Sequence, residues 1–242
     1  MLNYMFVAVL GAVVLPISAD PVPPQITKCK AADADCLREN AIRNKEWFSD
    51  GLPEYNVTPM DPAVFSRIDA SSQNLKLILT DVTIRGMKKC NVRKLARNTE
   101  KSTLVVGLTC DVVADGQYEM DGHLLVLPIQ GKGKIHAKIK KIDIDGEANM
   151  VEYTAKDGKK HWKITTWTHS FELKDKAEVK FDHLFNGNDG ALTKAVRELV
   201  RDNPNDVVNE IAPNVVEAMI GRLAENVSRF FKAFTIEQLA LD

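Results

Sequence analysis

Residues 203–234 decide the fold, and they read NPNDVVNEIAPNVVEAMIGRLAENVSRFFKAF. The start of this stretch is typical of a helix, because Asn203 can cap it, Pro204 suits the first helical position and Asp206 lies near the positive end of the helix dipole. The stretch then contains two parallel rows of apolar residues with a spacing of four: Val207, Ile211, Val215, Met219, Leu223, Val227 and Phe231, beside Val208, Ala212, Val216, Ile220 and Ala224. This pattern predicts one long helix.

The predicted helix is apolar around most of its circumference. A row of i+4 positions drifts by about 40° per step, so six steps carry it roughly 240° around the axis. A helix resting on one flat surface would keep a fixed apolar stripe instead. Two interpretations follow, an ordinary buried helix or a helix wrapped by other elements. Pro213 lacks a backbone donor and predicts a kink within the helix.

The chain before this helix contains several strand patterns. Leu75, Leu77 and Leu79 alternate with other residues, and a period of two predicts a strand. We expect this strand to continue through Ile84, bend at Gly86 and run towards Leu95. Further strand regions are predicted at residues 102–113, 116–130, 135–144 and 161–180, with Asp121-Gly122 as a bulge or turn inside the second of these.

Turn and helix patterns separate these strands. The run GKGK at residues 131–134 predicts a bend, and the run KDGK at residues 156–159 predicts a type I′ hairpin turn. Short helices are predicted at residues 33–49 and 190–201.

The order of elements is a helix, several long antiparallel strands and then helices, which favours the α+β class. Long strands with one apolar face need a cover, and the long helix needs neighbours on most sides. We therefore predict a long C-terminal helix wrapped by a strongly curved antiparallel sheet, together with a short N-terminal helix. The sequence contains no internal repeat or linker, so residues 20–242 are expected to form a single domain.

The first residues predict a secreted, extracellular protein. Residues 4–15 are apolar, Pro16 ends the run and Ile17-Ser18-Ala19 resembles a cleavage site, so residues 1–19 are interpreted as a signal peptide. The apolar run is too short to span a bilayer, and we expect no stable membrane insertion. The net charge of −1 gives no general attraction for nucleic acid.

Four cysteines remain after the signal peptide, an even number that suits an oxidising compartment. Cys29 and Cys36 can close a small loop. If the polar stretch around Glu100 is a hairpin turn, antiparallel pairing places Cys90 opposite Cys110, and a second disulfide is sterically possible. The alternative for this second pair is two free buried thiols.

Two glycosylation sequons occur in the chain, at Asn56-Val57-Thr58 and Asn226-Val227-Ser228. Pro59 follows the first sequon, and the second lies on the predicted long helix. The sequence leaves the occupancy of both sequons open.

Four segments resemble the insect juvenile hormone-binding and takeout-like proteins. They are residues 29–37 (CKAADADCL), 51–62 (GLPEYNVTPMDP), 121–134 (DGHLLVLPIQGKGK) and 181–188 (FDHLFNGN). These segments occur in order over nearly the whole mature chain, and the proline inside the long helix is also similar. The resemblance implies a tubular lipid-binding fold and carriage of a small lipophilic ligand in haemolymph or another secretion.

One feature differs from this resemblance. Hormone-binding members proper have a second disulfide that involves a cysteine late in the chain, whereas this sequence has none after Cys110. Juvenile hormone is therefore one candidate ligand among other terpenoids and fatty lipids.

The sequence lacks the motifs of the common catalytic and metal sites. It contains no Gly-x-Ser-x-Gly and no His-Glu-x-x-His, and the Gly-Lys-Gly-Lys run lacks the spacing of a phosphate loop. We expect no enzyme activity, cofactor or metal. Lysines at 132, 134, 138, 140 and 141 predict a half-exposed strand face, or a docking patch for an anionic partner or membrane.

For a carrier, the site is an apolar cavity with a few polar groups. The predicted ligand-binding residues are Trp47, Phe48, Phe65, Leu125, Leu127, Trp167, Phe181, Met219, Phe230 and Phe231. Plain core packing is the alternative for each of them. The predicted partner is a small hydrophobic ligand bound by a monomer. The competing hypotheses are an interaction protein of the same fold with a collapsed pocket and a basic strand surface, and a secreted hydrolase.

Overall fold

A computed structural model describes residues 25–242, so the predicted signal peptide at residues 1–19 lies outside the described part. Within that part, one α-helix precedes seven strands and four further α-helices, and three short 3₁₀ helices lie between these elements. The first helix is α1 (Ala34–Asp50). The strands are β1 (Ala63–Asp69), β2 (Leu75–Arg85), β3 (Asn91–Asn98), β4 (Thr103–Leu124), β5 (Leu127–Thr154), β6 (Lys160–Leu173) and β7 (Glu178–Phe181). The later helices are α2 (Ala191–Asp202), α3 (Pro204–Ile211), α4 (Pro213–Ala233) and α5 (Ile236–Leu239).

The strands form one antiparallel sheet in the order β1-β2-β4-β5-β6. Strand β3 continues the line of β2 and pairs with the first half of β4, and β7 pairs with the first half of β5. The 28 residues of β5 would extend roughly 90 Å if straight, whereas the 21 residues of α4 span about 32 Å. The sheet must therefore curve, and α4 contacts β1 and β6, the strands at the two ends of this order. The predicted α+β class and the wrapped helix are confirmed.

Local irregularities help the sheet to curve. The register between β2 and β4 shifts next to Asp81, which has a φ of 51°. A second shift, between β4 and β5, lies opposite Lys141, which has a φ of 49°. Such bulges bend a strand and increase its twist. Both positions lie in the middle of long strands, where a flat sheet would otherwise continue.

The long C-terminal helix is interrupted where the proline predicted it. Helix α3 ends at Ile211 and α4 begins at Pro213, with Ala212 between them. The amide of Ala212 still donates to the carbonyl of Val208 at 2.8 Å. The missing donor of Pro213 therefore breaks the helix without a loop.

The predicted strand region at residues 116–130 is divided by a hairpin turn, and the turn does not lie at Asp121-Gly122, which continues β4. Strand β4 ends at Leu124 and β5 begins at Leu127, so the turn consists of Leu125 and Val126. Leu125 has a φ of 53° and Val126 is 79% exposed. Neither residue is a usual turn former, so the alternating pattern continues through the turn and hides it.

The predicted bend at residues 131–134 was also wrong, because these residues continue β5. Gly131 and Gly133 instead allow another segment of the chain to approach this strand closely. A Cβ on Gly133 would lie 2.4 Å from the carbonyl oxygen of Asp182, and one on Gly131 would lie 3.2 Å from that of His183. Both positions therefore exclude side chains so that the chain after β7 can cross this strand.

Two further details differ from the sequence prediction. The hairpin between β5 and β6 has a positive φ at Gly158, whereas its neighbour Asp157 is not left-handed, so the turn is not type I′. The predicted strand at residues 161–180 is divided into β6 and β7. The division follows from the bulge at Lys141, whose carbonyl accepts a hydrogen bond from Lys174 just after β6 ends.

Both cysteine pairs are bonded, as Cys29–Cys36 and Cys90–Cys110. Strand β3 returns alongside β4 with Asn91 opposite Thr109, which brings the second pair together as the hairpin argument required.

We expect the Cys90→Ala/Cys110→Ala variant to lose about 3 kcal/mol in the free energy of unfolding, because a loop of 20 residues is released. Urea unfolding under non-reducing conditions measures this loss, and an unchanged midpoint would contradict it.

A buried tyrosine gives the folded protein a specific alkaline sensitivity. The hydroxyl of Tyr118 donates to the backbone oxygen of Asp182 at 2.6 Å. Burial, assisted by the Asp182 charge, raises the pKa of Tyr118 to about 12. Between the unfolded pKa of about 10 and this value, the unfolded chain loses its proton first, so stability is complete below pH ~10 and falls as the pH rises.

We therefore expect the native protein to lose about 1 kcal/mol more stability between pH 9 and pH 11 than the Tyr118→Phe variant does. Urea unfolding of both proteins at the two pH values measures the difference. Equal losses in the two proteins would show that this hydroxyl titrates normally.

An apolar cavity as the candidate functional site

The interior of the curved sheet has two halves, which differ in how tightly they are packed. Around α3 and the start of α4, large side chains fill the interior, and fully buried examples are Leu75, Leu77, Tyr118, Met120, Leu124, Ile129, Val207 and Val208. Around the second half of α4, the interior contains a cavity of about 340 Å³. This volume lies within the range of roughly 300–1,000 Å³ that is typical of small-molecule pockets.

Five elements provide most of the lining of the cavity. They are α1, strands β3 to β6 taken together as the sheet wall, the second half of α4, the segment at Cys29, and α5. Helix α1 covers the outer edge of β3, where the side chain of Arg38 donates to the carbonyl of Val92 at 3.1 Å and Lys45 donates to that of Cys90 at 2.9 Å. These bonds satisfy edge carbonyls and hold α1 in place as the roof of the cavity.

The cavity exists because small residues on β5 lie next to larger ones on β4, on the same face of the sheet. Leu104, Val106 and Leu108 alternate along β4 and line the cavity. Their neighbours in register on β5 include Ala148 opposite Leu104 and Gly146 opposite Val106. Side chains this small leave space that the opposing helices do not fill.

Two ends of the cavity can be distinguished. At the inner end, Met60, Met87 and Ile220 line the cavity and also belong to the filled core behind it. Cys90 lines the same end, with its disulfide partner Cys110 buried behind it. The disulfide therefore forms part of the wall that separates the hollow half from the filled half.

Aromatic side chains surround the outer end. Trp47 and Phe48 of α1 contact Phe230 edge-on, with ring centres 6.2 and 6.0 Å apart. Trp162 contacts Phe231 at 5.4 Å. These rings join α1 and β6 to the last turns of α4, so they hold the outer part of the cavity together.

Few polar groups line the cavity. Asn44 is buried, and its amide nitrogen donates to the backbone oxygens of Asn40 and Gln25. The Asn44 Oδ1 atom has no hydrogen-bond partner among residues 25–242. The guanidinium of Arg97 pairs with Asp242 at the outer end.

Half of the predicted ligand-binding residues lie at the cavity. Trp47, Phe48, Trp167, Phe230 and Phe231 line it. Trp167 is also 40% exposed, and its ring would lie 3.5 Å from a Cβ at position 221, where α4 has a glycine. The ring therefore lies between β6 and α4.

The other five predicted residues lie outside the cavity. Leu125, Leu127 and Met219 pack in the filled half, as does Phe181, whose ring contacts Tyr118 at 5.2 Å. Phe65 lies under the guanidinium of Arg222 at 3.7 Å, where burial holds the pKa of that arginine below its ordinary value. These five contribute to core packing.

Several lining residues were not predicted, and β4 contributes the clearest group. The alternation of Leu104, Val106 and Leu108 places them on one face of a strand and could have identified that face. It could not have shown that this face borders a cavity, because the neighbouring strand and its small residues were needed for that.

The lysine-rich strand does not form a continuous basic surface. Lys132 lies 3.7 Å from Glu119, and Asp115 lies between Arg85 and His136 at 3.0 and 2.7 Å. Acidic residues of β4 therefore alternate with the basic residues of β5 across the outer face.

Other kinds of site were sought in the described part of the chain. Residues 25–242 contain no cluster of three or more His, Cys, Asp or Glu side chains that could hold a metal ion. Within the same range, every helix is too short or too polar to cross a bilayer.

Comparisons with known proteins agree with this geometry. Residues 5–241 match the family model described as haemolymph juvenile hormone binding protein, and the chain belongs to this family. The crystal structure of Takeout 1 from Epiphyas postvittana superimposes with a TM-score of 0.83 at 25% identity, covering 89% of this chain and 99% of that one.

Two curated relatives are circadian clock-controlled proteins named daywake. The Drosophila yakuba protein is 22% identical over 209 residues, which cover 81% of this chain and 79% of the relative. The Drosophila melanogaster protein is 23% identical over 213 residues, covering 83% and 81%. The resemblance to juvenile hormone-binding and takeout-like proteins is therefore confirmed.

Proposed function

We propose that this protein is a secreted carrier that binds one small hydrophobic ligand in the apolar cavity. The observation that supports this most directly is the cavity of about 340 Å³ beside α4, which is lined mainly by apolar and aromatic side chains. The ligand class is juvenile hormone, another terpenoid or a fatty lipid. In this proposal residues 20–242 form one monomeric domain outside the cell, and the protein has no catalytic role.

The energetics of such binding are favourable. Burial of apolar ligand surface gains about 25 cal/mol per Å², so burial of some 300 Å² supplies roughly 7 kcal/mol before the costs of ordering. Charged groups are expensive in this setting, and the lining offers few partners for them.

The alternative of an interaction protein with a collapsed pocket receives less support. An interaction protein of this kind would have side chains filling the pocket and a uniformly positive surface along β5. The cavity and the acidic neighbours of Lys132 and His136 both argue against it. Reversal of charge at Lys138 and Lys140 distinguishes the two functions, because a carrier keeps its ligand affinity in that variant.

Native mass spectrometry of the protein from its natural secretion tests the carrier function. We expect one small apolar molecule per chain, released at raised collision energy and identified after solvent extraction. A protein that is free of ligand and also fails to bind fluorescent apolar probes would contradict the proposal.

A further inference from the structure

The outer end of the cavity contains a buried cation. Arg97 lies on β3, its side chain is 8% exposed, and it contributes to the lining of the cavity. Its guanidinium carbon lies 4.6 Å from the ring centre of Trp162, which lines the same end. An arginine so deeply buried is costly unless its donors are used.

One carboxylate already balances this charge. The Nη2 atom of Arg97 bonds to Asp242, whose carboxylate also accepts the backbone amide of Ala31 at 3.1 Å. A guanidinium has five N–H donors in a rigid fork. Asp242 engages the fork through Nη2, which leaves further donors for an acceptor at this end of the cavity.

The other charged lining residues do not compete for this role. Lys45 donates to the carbonyl of Cys90 at the inner end, and Glu147 is exposed. The inner wall of Met60, Met87 and Ile220 is apolar. The cavity therefore has a direction, with the buried guanidinium of Arg97 at the outer end and a mainly apolar wall at the inner end, where Lys45 is bonded to the carbonyl of Cys90.

We propose that Arg97 binds a neutral oxygen acceptor on the head of the ligand, such as an ester, ketone or alcohol, while the apolar chain extends towards the inner wall. This inference rests on the carrier function. A neutral head is favoured over a carboxylate because Asp242 already neutralises Arg97, and a second buried anion would be repelled. A hydrogen bond from an ionised donor is stronger than a neutral one.

Displacement of N-phenyl-1-naphthylamine by compounds of one chain length tests this assignment. The competitors are an alkane, its methyl ester and its carboxylate. We expect the ester to bind about tenfold more tightly than the alkane, and the Arg97→Met variant to lose this advantage while it keeps its affinity for the alkane. The Lys94→Met variant is the matched control, because Lys94 is an exposed cation on the same strand.

A second variant keeps the guanidinium of Arg97 and removes the carboxylate that neutralises it. Asp242→Asn leaves Arg97 without its neutralising carboxylate, so the carboxylate competitor should gain about tenfold over the ester relative to the native protein. An unchanged ranking in Asp242→Asn, or an equal loss for all three competitors in Arg97→Met, would overturn the assignment. If the native protein binds neither the probe nor any competitor, the carrier function itself fails.

Discussion

Val106→Trp is expected to weaken the binding of any apolar ligand by about 100-fold, because the indole would occupy the space in which the ligand is buried. Val106 lies on the face of β4 that lines the cavity, opposite Gly146 on β5. The cavity itself offers room for the larger side chain, so the fold should tolerate it. Titration with a fluorescent apolar probe measures the affinity.

The neighbouring residue provides a matched control. Val105 lies on the same strand, and successive side chains in a strand point to opposite faces. The Val105→Trp variant therefore carries the same ring on the outside of the sheet and should bind with native affinity. Equal weakening in both variants, or no weakening in Val106→Trp with its fold intact, would exclude this cavity as the binding site.

Asn226→Ala is expected to lower the free energy of unfolding by about 3 kcal/mol. Asn226 is fully buried on α4 and makes three hydrogen bonds to Thr58. Its Oδ1 accepts from the backbone amide and the hydroxyl of Thr58, both at 3.0 Å, and its Nδ2 donates to the Thr58 carbonyl at 2.7 Å. Removal of the amide breaks all three bonds and leaves a void beside α4 where the buried side chain was, and urea unfolding measures the cost.

Asn214→Ala tests whether the number of hydrogen bonds determines this cost. Asn214 lies on the same helix and makes one such bond, from Nδ2 to the carbonyl of Ser71 at 3.0 Å. Its replacement should lower the free energy of unfolding by about 1 kcal/mol. A loss in Asn226→Ala no larger than that in Asn214→Ala would show that the contact with Thr58 contributes little.

The architecture could be predicted because its patterns are local and repeated. The rows of apolar residues from Val207 to Phe231 required cover on most sides, and the alternating strands supplied it. The pairing of Cys90 with Cys110 followed from a single assumption about a hairpin. Such inferences depend on periodicity, which the sequence contains directly.

The cavity could not be predicted in the same way. Whether an inward residue packs or borders a cavity depends on the size of its neighbours across the sheet, and these are known only once the register is known. Met219 and Ile220 are adjacent on α4, yet only Ile220 lines the cavity. The turn at Leu125-Val126 was missed for a related reason, since its residues carry no local turn signal and tertiary contacts determine its place.

The burial of Asn226 has a consequence for biosynthesis. Asn226-Val227-Ser228 is an acceptor sequence for an N-linked oligosaccharide, but in the folded protein the amide nitrogen is enclosed and bonded to Thr58. A chain that received a sugar at this position could not close α4 against the segment containing Thr58. In a glycosylating host the yield of native protein therefore depends on the competition between folding and the transferase at Asn226.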